Sequence, residues 1–406
     1  MDYSDVGTIA TWITGQGLKG ATESELLTGF CTACREAGLP LDRGLALMDT
    51  LHPVHEGRAF RWDSEEEIET EFEYGPTGGE GNSLEGWQKS AFYYLWTGNE
   101  NEVRRRIGFG DPADFALLDK MVEAGHTDFV AMAHRFTQAG TIGEMDCFFS
   151  HFSTKHPEGF SDHDMIILRK LVPVLALAIK CIALGRIART IAEVYLGEDA
   201  ARQVLEGKIS RGKSERISAA LWFSDLLNYT KISDSVPPEE ILPLLNDYSE
   251  VVISAIHEAG GNVLKLIGDG ILAIFKGDEP SDACCAALRA ESLLRQKLAK
   301  LNAERDAEKR PTTDVYLGLH IGDVFYGNIG SQDRLDFTVI GPAVNEVSRI
   351  ASMCRSVDLN VLMSSDFAAA IPEGQRGALA CVGRYALRGV KRAQELFSLD
   401  SARMRG

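Results

Sequence analysis

The chain has 406 residues, 45% hydrophobic and 25% charged, which suits a globular protein with two or three domains, each with its own core. Its net charge of −17 argues against nucleic acid or an anionic membrane as the main partner. A triphosphate met by local donors and metal ions is compatible with that charge. The eight cysteines are scattered and the first residues, MDYSDVGTIATW, lack the basic start and apolar core of a signal peptide, so a reduced, cytoplasmic setting is expected.

Residues 1–54 read as a helical segment, with apolar positions at helical spacing through ESELLTGFCTACREAG and LDRGLALMDTL. Residues 55–185 read as a mixed α/β domain. Short extended pieces, GRAFRWD and TEFEYG, are separated by an acidic run (Asp63 to Glu73), and a glycine-rich loop, GPTGGEGNSLEG, follows from Gly75 to Gly86. DFALLDKMVEAG is a predicted helix; TDFVAMAHRF and GEMDCFFSHFS are predicted strands. The segment SDHDMIILRKLVPVLALAIKCIALGRIARTIAEVYLG opens with a Ser-Asp cap signal and continues as a long helix. Its longest apolar run, Leu171 to Leu184, holds Pro173 and Lys180 and is too short for a comfortable bilayer span, so no membrane span is expected. Residues 186–216 read as a connector, helical at first and then basic and glycine-interrupted.

From residue 217 to 406 the pattern changes. ISAALWFSDL is a predicted strand, and PPEEILPLLNDYSEVVISAIHEAG a helix with proline in its first turn. GGNVLKLIGDGILAIF is a hairpin broken at Gly268-Asp269-Gly270. A longer helix follows, then extended DVYLGLHIGDVFYGNIG and RLDFTVIG, then a helix over PAVNEVSRIASMCRS. The order β-α-β-β-α-β is that of a ferredoxin-like core with additions, so the fold class is α/β, of the α+β kind.

The hairpin poses a chemical question, because Lys265 and Asp269 interrupt Val, Leu, Ile and Phe, and a buried unpaired charge costs several kcal/mol. Asp225 ends one strand and Asp269 tips the hairpin. Two such carboxylates side by side make an oxygen-rich site for Mg²⁺ or Mn²⁺; the bland alternative is that both are turn formers. After Asp225 the chain turns into a helix through Leu226, Leu227, Asn228, Tyr229 and Thr230, where backbone N–H groups are candidates for holding phosphates.

Five pieces taken in order, FSDLLNYT, GGNVLKLIGDGILAIF, GLHIGDVFYGNIG, DFTVIGPAVNEVSRI and ALRGVKRAQELFSL, resemble the catalytic domain of the class III adenylate/guanylate cyclase family. The resemblance implies a head-to-tail homodimer with active sites shared across the interface. It implies that Asp225 and Asp269 hold two Mg²⁺ or Mn²⁺ ions per site, with Phe223, Leu226, Leu227, Asn228, Tyr229 and Thr230 as substrate contacts. It implies that Lys265 and Thr338 read the purine, the lysine serving the site built with the other protomer's aspartates. Asn345 and Arg349, four apart on one helix face, match the pair that orients the ribose and stabilises the transition state. Arg388 falls where many relatives have a triphosphate-binding lysine, which keeps the charge and changes the geometry. Lys265 only donates and Thr338 both accepts and donates, a pairing suited to adenine.

The front half resembles a GAF-like sensor domain, on SAFYYLWTGNENEVRRRIG, the strand pair and GFSDHDMIILRKLVPVLALAI, and the connector resembles the transducer segment before many cyclase domains. Cys31 and Cys34 have redox spacing, and His126, His134, His151, His156 and His163 follow no ligand pattern; core or surface roles are the simpler reading of both sets. The expectation is thus a cytoplasmic, homodimeric adenylate cyclase making 3′,5′-cyclic AMP and pyrophosphate from ATP. Its front domain would answer an unknown small-molecule or redox signal. The alternatives are a guanylate cyclase, or a weakly catalytic sensor that signals by dimer rearrangement.

Overall fold

The computed structural model describes residues 1–65, 69–75, 82–136, 142–143, 145–210, 212–390 and 393–399. They divide into two compact units, Met1–Ile191 and Ala192–Gly406.

The first unit opens with two helices, α1 (Tyr3–Lys19) and α2 (Glu23–Glu36), whose N-caps Asp2 and Thr22 form capping boxes with Asp5 and Glu25. RGLALMD, expected to be helical, is instead strand β1 (Arg43–Asp49), with Gly44, Ala46 and Met48 buried at a period of two. In so short a run a two-residue period and a helical one share most apolar positions, and pairing with neighbouring strands decides. β1 lies between β2 (Gly57–Asp63) and β6 (Cys147–Thr154), so residues 1–54 are not a separate helical segment; they supply a strand of the same sheet. With β3 (Glu71–Tyr74), β4 (Glu102–Arg105) and β5 (Asp128–Arg135) the order is β3-β2-β1-β6-β5-β4.

One face of this sheet packs Phe60, Phe148 and Phe152 against α1, α2 and the helix α6 (Asp162–Leu196). On the other face, α4 (Ala91–Thr97) and α5 (Leu118–Glu123), which follow α3 (Asn82–Gln88), cover Phe129 and Phe149. Residues 76–81 of the glycine-rich loop lie outside the described residues. α6 is 35 residues long and continues through Pro173, so the connector expected from residue 186 starts inside it. By length and composition α6 is able to cross a membrane, contrary to the reading of the run 171–184 alone, although 44% of its most apolar window is buried in the protein. Cys31 and Cys34 are buried free thiols; burial pushes both up, Cys34 to about 12, which makes them poor thiolates for redox sensing.

The second unit begins with α7 (Glu198–Leu205) and strand β7 (Ser214–Leu226). Helices α8 (Tyr229–Ser235) and α9 (Pro238–Glu258) lead to the hairpin β8 (Asn262–Ile267) and β9 (Gly270–Phe275), then to α10 (Pro280–Ala307). The long β10 (Val315–Gly330) turns into β11 (Leu335–Ile340) and α11 (Pro342–Val357). The remainder comprises β12 (Val361–Ser364), α12 (Ser365–Ala370), α13 (Glu373–Arg376), β13 (Leu379–Tyr385) and β14 (Gln394–Leu399). The sheet runs β13-β14-β12-β10-β7-β9-β8, with β11 on β10. Its β10-β7-β9-β8 half is the expected ferredoxin-like core.

α9 and α10 bury Trp222, Tyr248, Phe275 and Leu294 on one face. On the other, α7 and α11 cover Leu221, Leu272, Ile274 and Val324. α11 lies so close to β10 that a Cβ at Gly318 would sit 2.6 Å from the backbone nitrogen of Ala351 and from the carbonyl oxygen of Val347. Both obstacles are main chain, so the helix has to move. Gly318→Ala is therefore expected to destabilise the second unit by about 1–3 kcal/mol and to lower its melting temperature by several degrees. Gly374, with nothing within 4 Å of its would-be Cβ, is the control. Equal melting temperatures for Gly318→Ala, Gly374→Ala and the parent chain would remove the close-packing argument.

Candidate active site

β7 and β9 pair from Ala220 opposite Phe275 to Ser224 opposite Ile271, which brings the end of β7 beside the hairpin tip. Gly268 takes the turn at φ 64, and Asp269 follows it. The Asp225 carboxyl reaches the Asp269 carboxyl and hydrogen-bonds with it. Burial and that neighbouring negative charge push Asp225 up to about 6, against the opposing pull of the Arg355 guanidinium and the Leu226 N–H. Ser224, Tyr248, Ser249, Val252 and Ile271 close in around the pair. Two adjoining carboxyls at the ends of neighbouring strands fit a divalent metal with oxygen ligands. Among the described residues no third acidic, histidine or cysteine side chain joins them as a metal-ligand cluster.

The flanking turn divides its labour. Leu226 is buried in the core under α9 and α10, Leu227 packs with Tyr316 and Leu362, and Phe223 packs beneath α7 and α11. Leu226 is fully committed to the core, and Phe223 and Leu227 are half-buried against it, in keeping with a turn that offers its backbone to phosphates. Thr313 Oγ1 donates to the Leu227 carbonyl at 2.6 Å, and the Leu227 N–H donates to Asp314 O at 2.8 Å, which fixes the turn. Asn228 sits in the left-handed region at φ 58, Tyr229 is half-buried and Thr230 is exposed.

Lys265 does not line the pocket around the aspartates. The pairing of β8 with β9 slips between Val263 and Lys265, a bulge that redirects the lysine. Its ammonium forms an ion pair with Asp336 on β11. Thr338, buried at 7% exposure, is two residues further along and so on the same face of that strand. Lys265 and Thr338 thus belong to one group, joined by Asp336. Sequence reasoning missed that aspartate, although an acidic residue two before Thr338 in a strand was a readable signal.

Asn345 and Arg349 share the exposed face of α11, whose other side buries Val347, Ile350 and Ala351. Arg388 is exposed in the turn closed by Gly389 at φ 79, with Leu387 buried as its anchor. The structure therefore joins Asp225 to Asp269 and Lys265 to Asp336, and leaves Asn345, Arg349 and Arg388 facing outward.

The carboxyl pair has a measurable consequence. A folded-state pKa raised to about 6 means that the metal-free fold holds a proton which the unfolded chain releases nearer pH 4, so stability falls as pH rises through that window. In EDTA the melting temperature of the second unit is expected to fall between about pH 4 and 6, and Asp225→Asn to flatten the fall and raise the value at neutral pH. An unchanged pH profile in Asp225→Asn would show that the two carboxyls do not repel.

Residues 213–401 match the family model described as the adenylate and guanylate cyclase catalytic domain. An adenylate cyclase of Anabaena cylindrica is 35% identical over 198 residues, which are 48% of this chain and 37% of that protein. An uncharacterized protein of Mycobacterium tuberculosis is 29% identical over 199 residues, 48% of this chain and 35% of that protein. The chain thus spans about a third of the length of these curated relatives. Among solved structures, the adenylyl cyclase CyaB from P. aeruginosa superposes on 46% of this chain and 95% of its own with a TM-score of 0.42 at 24% identity. A bacterial light-regulated adenylyl cyclase covers 63% of this chain and 83% of its own with a TM-score of 0.49 at 18% identity. Residues 213–401 are a catalytic domain of the class III adenylate/guanylate cyclase family.

Proposed function

We propose that the chain is an adenylate cyclase that converts ATP to 3′,5′-cyclic AMP and pyrophosphate in a homodimer with shared active sites. The observation that carries this reading is the separation, within one protomer, of a carboxyl pair fit for metal from a lysine–threonine group fit for a purine. Neither half is an active site alone. On the strands that carry Lys265 and Thr338, and on the neighbouring β10, four apolar side chains are exposed, Leu266 (60%), Ile267 (49%), Phe325 (54%) and Ile340 (46%).

In the paired state Asp225 and Asp269 of one protomer would hold the two Mg²⁺ or Mn²⁺ ions. When bound, such ions lower the pKa of the ribose 3′ hydroxyl and neutralise phosphate charge. The 3′ hydroxyl gives its proton to water as its oxygen forms a bond to the α-phosphorus, the bond from that phosphorus to the bridging oxygen breaks, and pyrophosphate leaves. Arg349, unburdened on its helix face, meets the charge that grows on the α-phosphate oxygens, Asn345 holds the ribose, and Arg388 meets the leaving phosphates. Lys265 donates to the adenine ring nitrogen while Thr338 Oγ1 accepts from the 6-amino group. Guanine carries an N–H where adenine has the ring acceptor and so mismatches Lys265, while its carbonyl requires Thr338 to donate instead of accept. Asp336 positions the lysine through their ion pair.

The first unit reads as the regulatory, GAF-like domain. Support comes from buried polar atoms without partners on the sheet face beneath α4 and α5: both ring nitrogens of His126, Nδ1 of His151 and Oγ of Ser153. Burial and the nearby Arg43 keep His151 neutral, its pKa lowered to about 3, so this face suits a small ligand better than a proton signal. The buried, unreactive thiols of Cys31 and Cys34 count against a redox signal.

Turnover of ATP and GTP side by side, with Mg²⁺ or Mn²⁺, is expected to give cyclic AMP as the main product and none from Asp269→Ala. Preferential cyclic GMP would move the assignment to guanylate cyclase, and no cyclic nucleotide from either would leave a silent sensor. A second expectation follows from the shared site. Chains carrying Asp225→Ala and chains carrying Arg349→Ala, each inactive alone, regain up to about a quarter of parent activity when mixed, since half of the dimers are mixed and each holds one intact site. Mixed dimers that form without activity would refute site sharing.

A further inference from the structure

The last turn of α11, through Met353, Cys354, Arg355, Ser356 and Val357, lies over the end of the β7–β10 pairing that carries Asp225. Cys354 Sγ donates to the Leu317 carbonyl at 3.4 Å, and the Leu317 N–H donates to the Asn360 carbonyl at 2.9 Å. Leu317 stands opposite Ser224, and its neighbour Tyr316 opposite Asp225. Met353, Cys354 and Val357 pack with Tyr316 and with Leu227, which follows Asp225 in the turn. Side chains alternate along β7, so Asp225 shares the sheet face of Phe223, the face that α11 covers. The helix end is pinned on its far side too, where the Leu359 N–H donates to the Cys354 carbonyl at 3.1 Å. Arg355 is exposed on this fixed turn, and among the described residues no carboxylate pairs with it. Its guanidinium nevertheless favours the ionised Asp225 carboxyl, so it stands near the aspartate pair without closing an ion pair to it.

We infer that Arg355 is a further substrate-binding residue, which holds the outer phosphates of a nucleoside triphosphate bound at the aspartate pair of its own chain. The inference rests on the shared-site cyclase reading above. A triphosphate and two carboxylates exceed two divalent ions by about two negative charges, which side-chain cations have to meet. A guanidinium offers two parallel N–H donors to a phosphate, and the pinned helix end holds it in place beforehand. Arg349 and Arg355 project about 120° apart around α11, so one helix sends its two arginines to different places. Arg349 serves the site completed by the other protomer's aspartates, and Arg355 serves the site of its own. A cation in the last turn is also favoured by the helix dipole, and that simpler role gives different outcomes below.

Binding to the full chain with Mg²⁺ is measured by calorimetry with 3′-deoxy-ATP, which lacks the attacking hydroxyl and does not turn over. Arg355→Ala is expected to weaken this binding about tenfold or more, and to leave that of 3′-deoxyadenosine, which has no phosphates, unchanged. Arg355→Lys, which keeps the charge at the helix end, is expected to recover part of the loss. Unchanged affinity for 3′-deoxy-ATP with a lowered melting temperature would reduce Arg355 to a helix cap. Equal losses for both ligands would show a general defect, and either result overturns the inference. Mixing then assigns the site. Arg355→Ala chains mixed with Arg349→Ala chains are expected to exceed the average activity of the two preparations, since each mixed dimer holds one intact site. Arg355→Ala mixed with Asp225→Ala is expected to match the average, because both lesions fall on the aspartate half. The opposite pattern, or a rise in neither mixture, overturns the role of Arg355 while Asp225→Ala with Arg349→Ala still regains activity. Loss of that reference recovery as well, in mixed dimers shown to form, sinks the shared-site reading and this inference together.

Discussion

The second unit depends on the antiparallel pairing of β7 with β10, unbroken from Ser214 opposite Gly327 to Leu226 opposite Val315. This ladder is the axis of the sheet. It fixes Asp225 at one end of β7, and β9, paired along the other side of β7, delivers the hairpin tip to that end. β10 runs on past the core to carry β11, and so sets the height at which Asp336 and Thr338 stand beside β8. A slip of one residue would turn Asp225 into the core and Trp222 out of it, which the burial of Trp222 and Phe275 forbids. Register here is chemistry, because it decides which carboxyl meets which.

The electrostatics follow the same division. At the aspartate pair two negative charges are held closer than either would choose, and burial amplifies the cost. At the lysine the opposite holds, since Lys265 is matched by Asp336 and both remain partly open to water. One protomer thus carries a deficit of positive charge at one place and a satisfied, outward-facing cation at another. Within the chain, the apolar residues Leu266 and Ile267 of the hairpin and the Asn345–Arg349 face of α11 stay exposed.

Much of this was legible in the sequence. The Gly-Asp-Gly break announced a hairpin tip, and the position of Asp225 at the end of an apolar strand placed the second carboxyl. What escaped has physical reasons. RGLALMD carries both periods, and only long-range pairing with Phe148 and its neighbours makes it a strand. Leu226 and Leu227 sit in a motif associated with substrate, yet their side chains are taken by the core, which no local pattern reveals. Asp336 gained meaning only when the bulge at Leu264 aimed Lys265 toward it. The run of α6 through Pro173 was legible from its helical spacing, and the proline lies on the exposed side of the helix.

Gly197, between α6 and α7, stands at φ 79, and a Cβ there would lie 2.8 Å from the carbonyl oxygen of Val263. α7 itself is anchored by small side chains, Ala200 and Ala201, and by Asp199, which accepts from Tyr326 Oη at 2.8 Å and from Lys276 Nζ at 2.7 Å. The chain therefore meets β8 main chain to main chain, two residues before the lysine. The nearest side-chain atom, Asn262 Oδ1, lies 3.5 Å from the same point, so a methyl group at Gly197 would press first on the backbone of β8. What lets the chain pass this close to the strand is the side chain that Gly197 lacks.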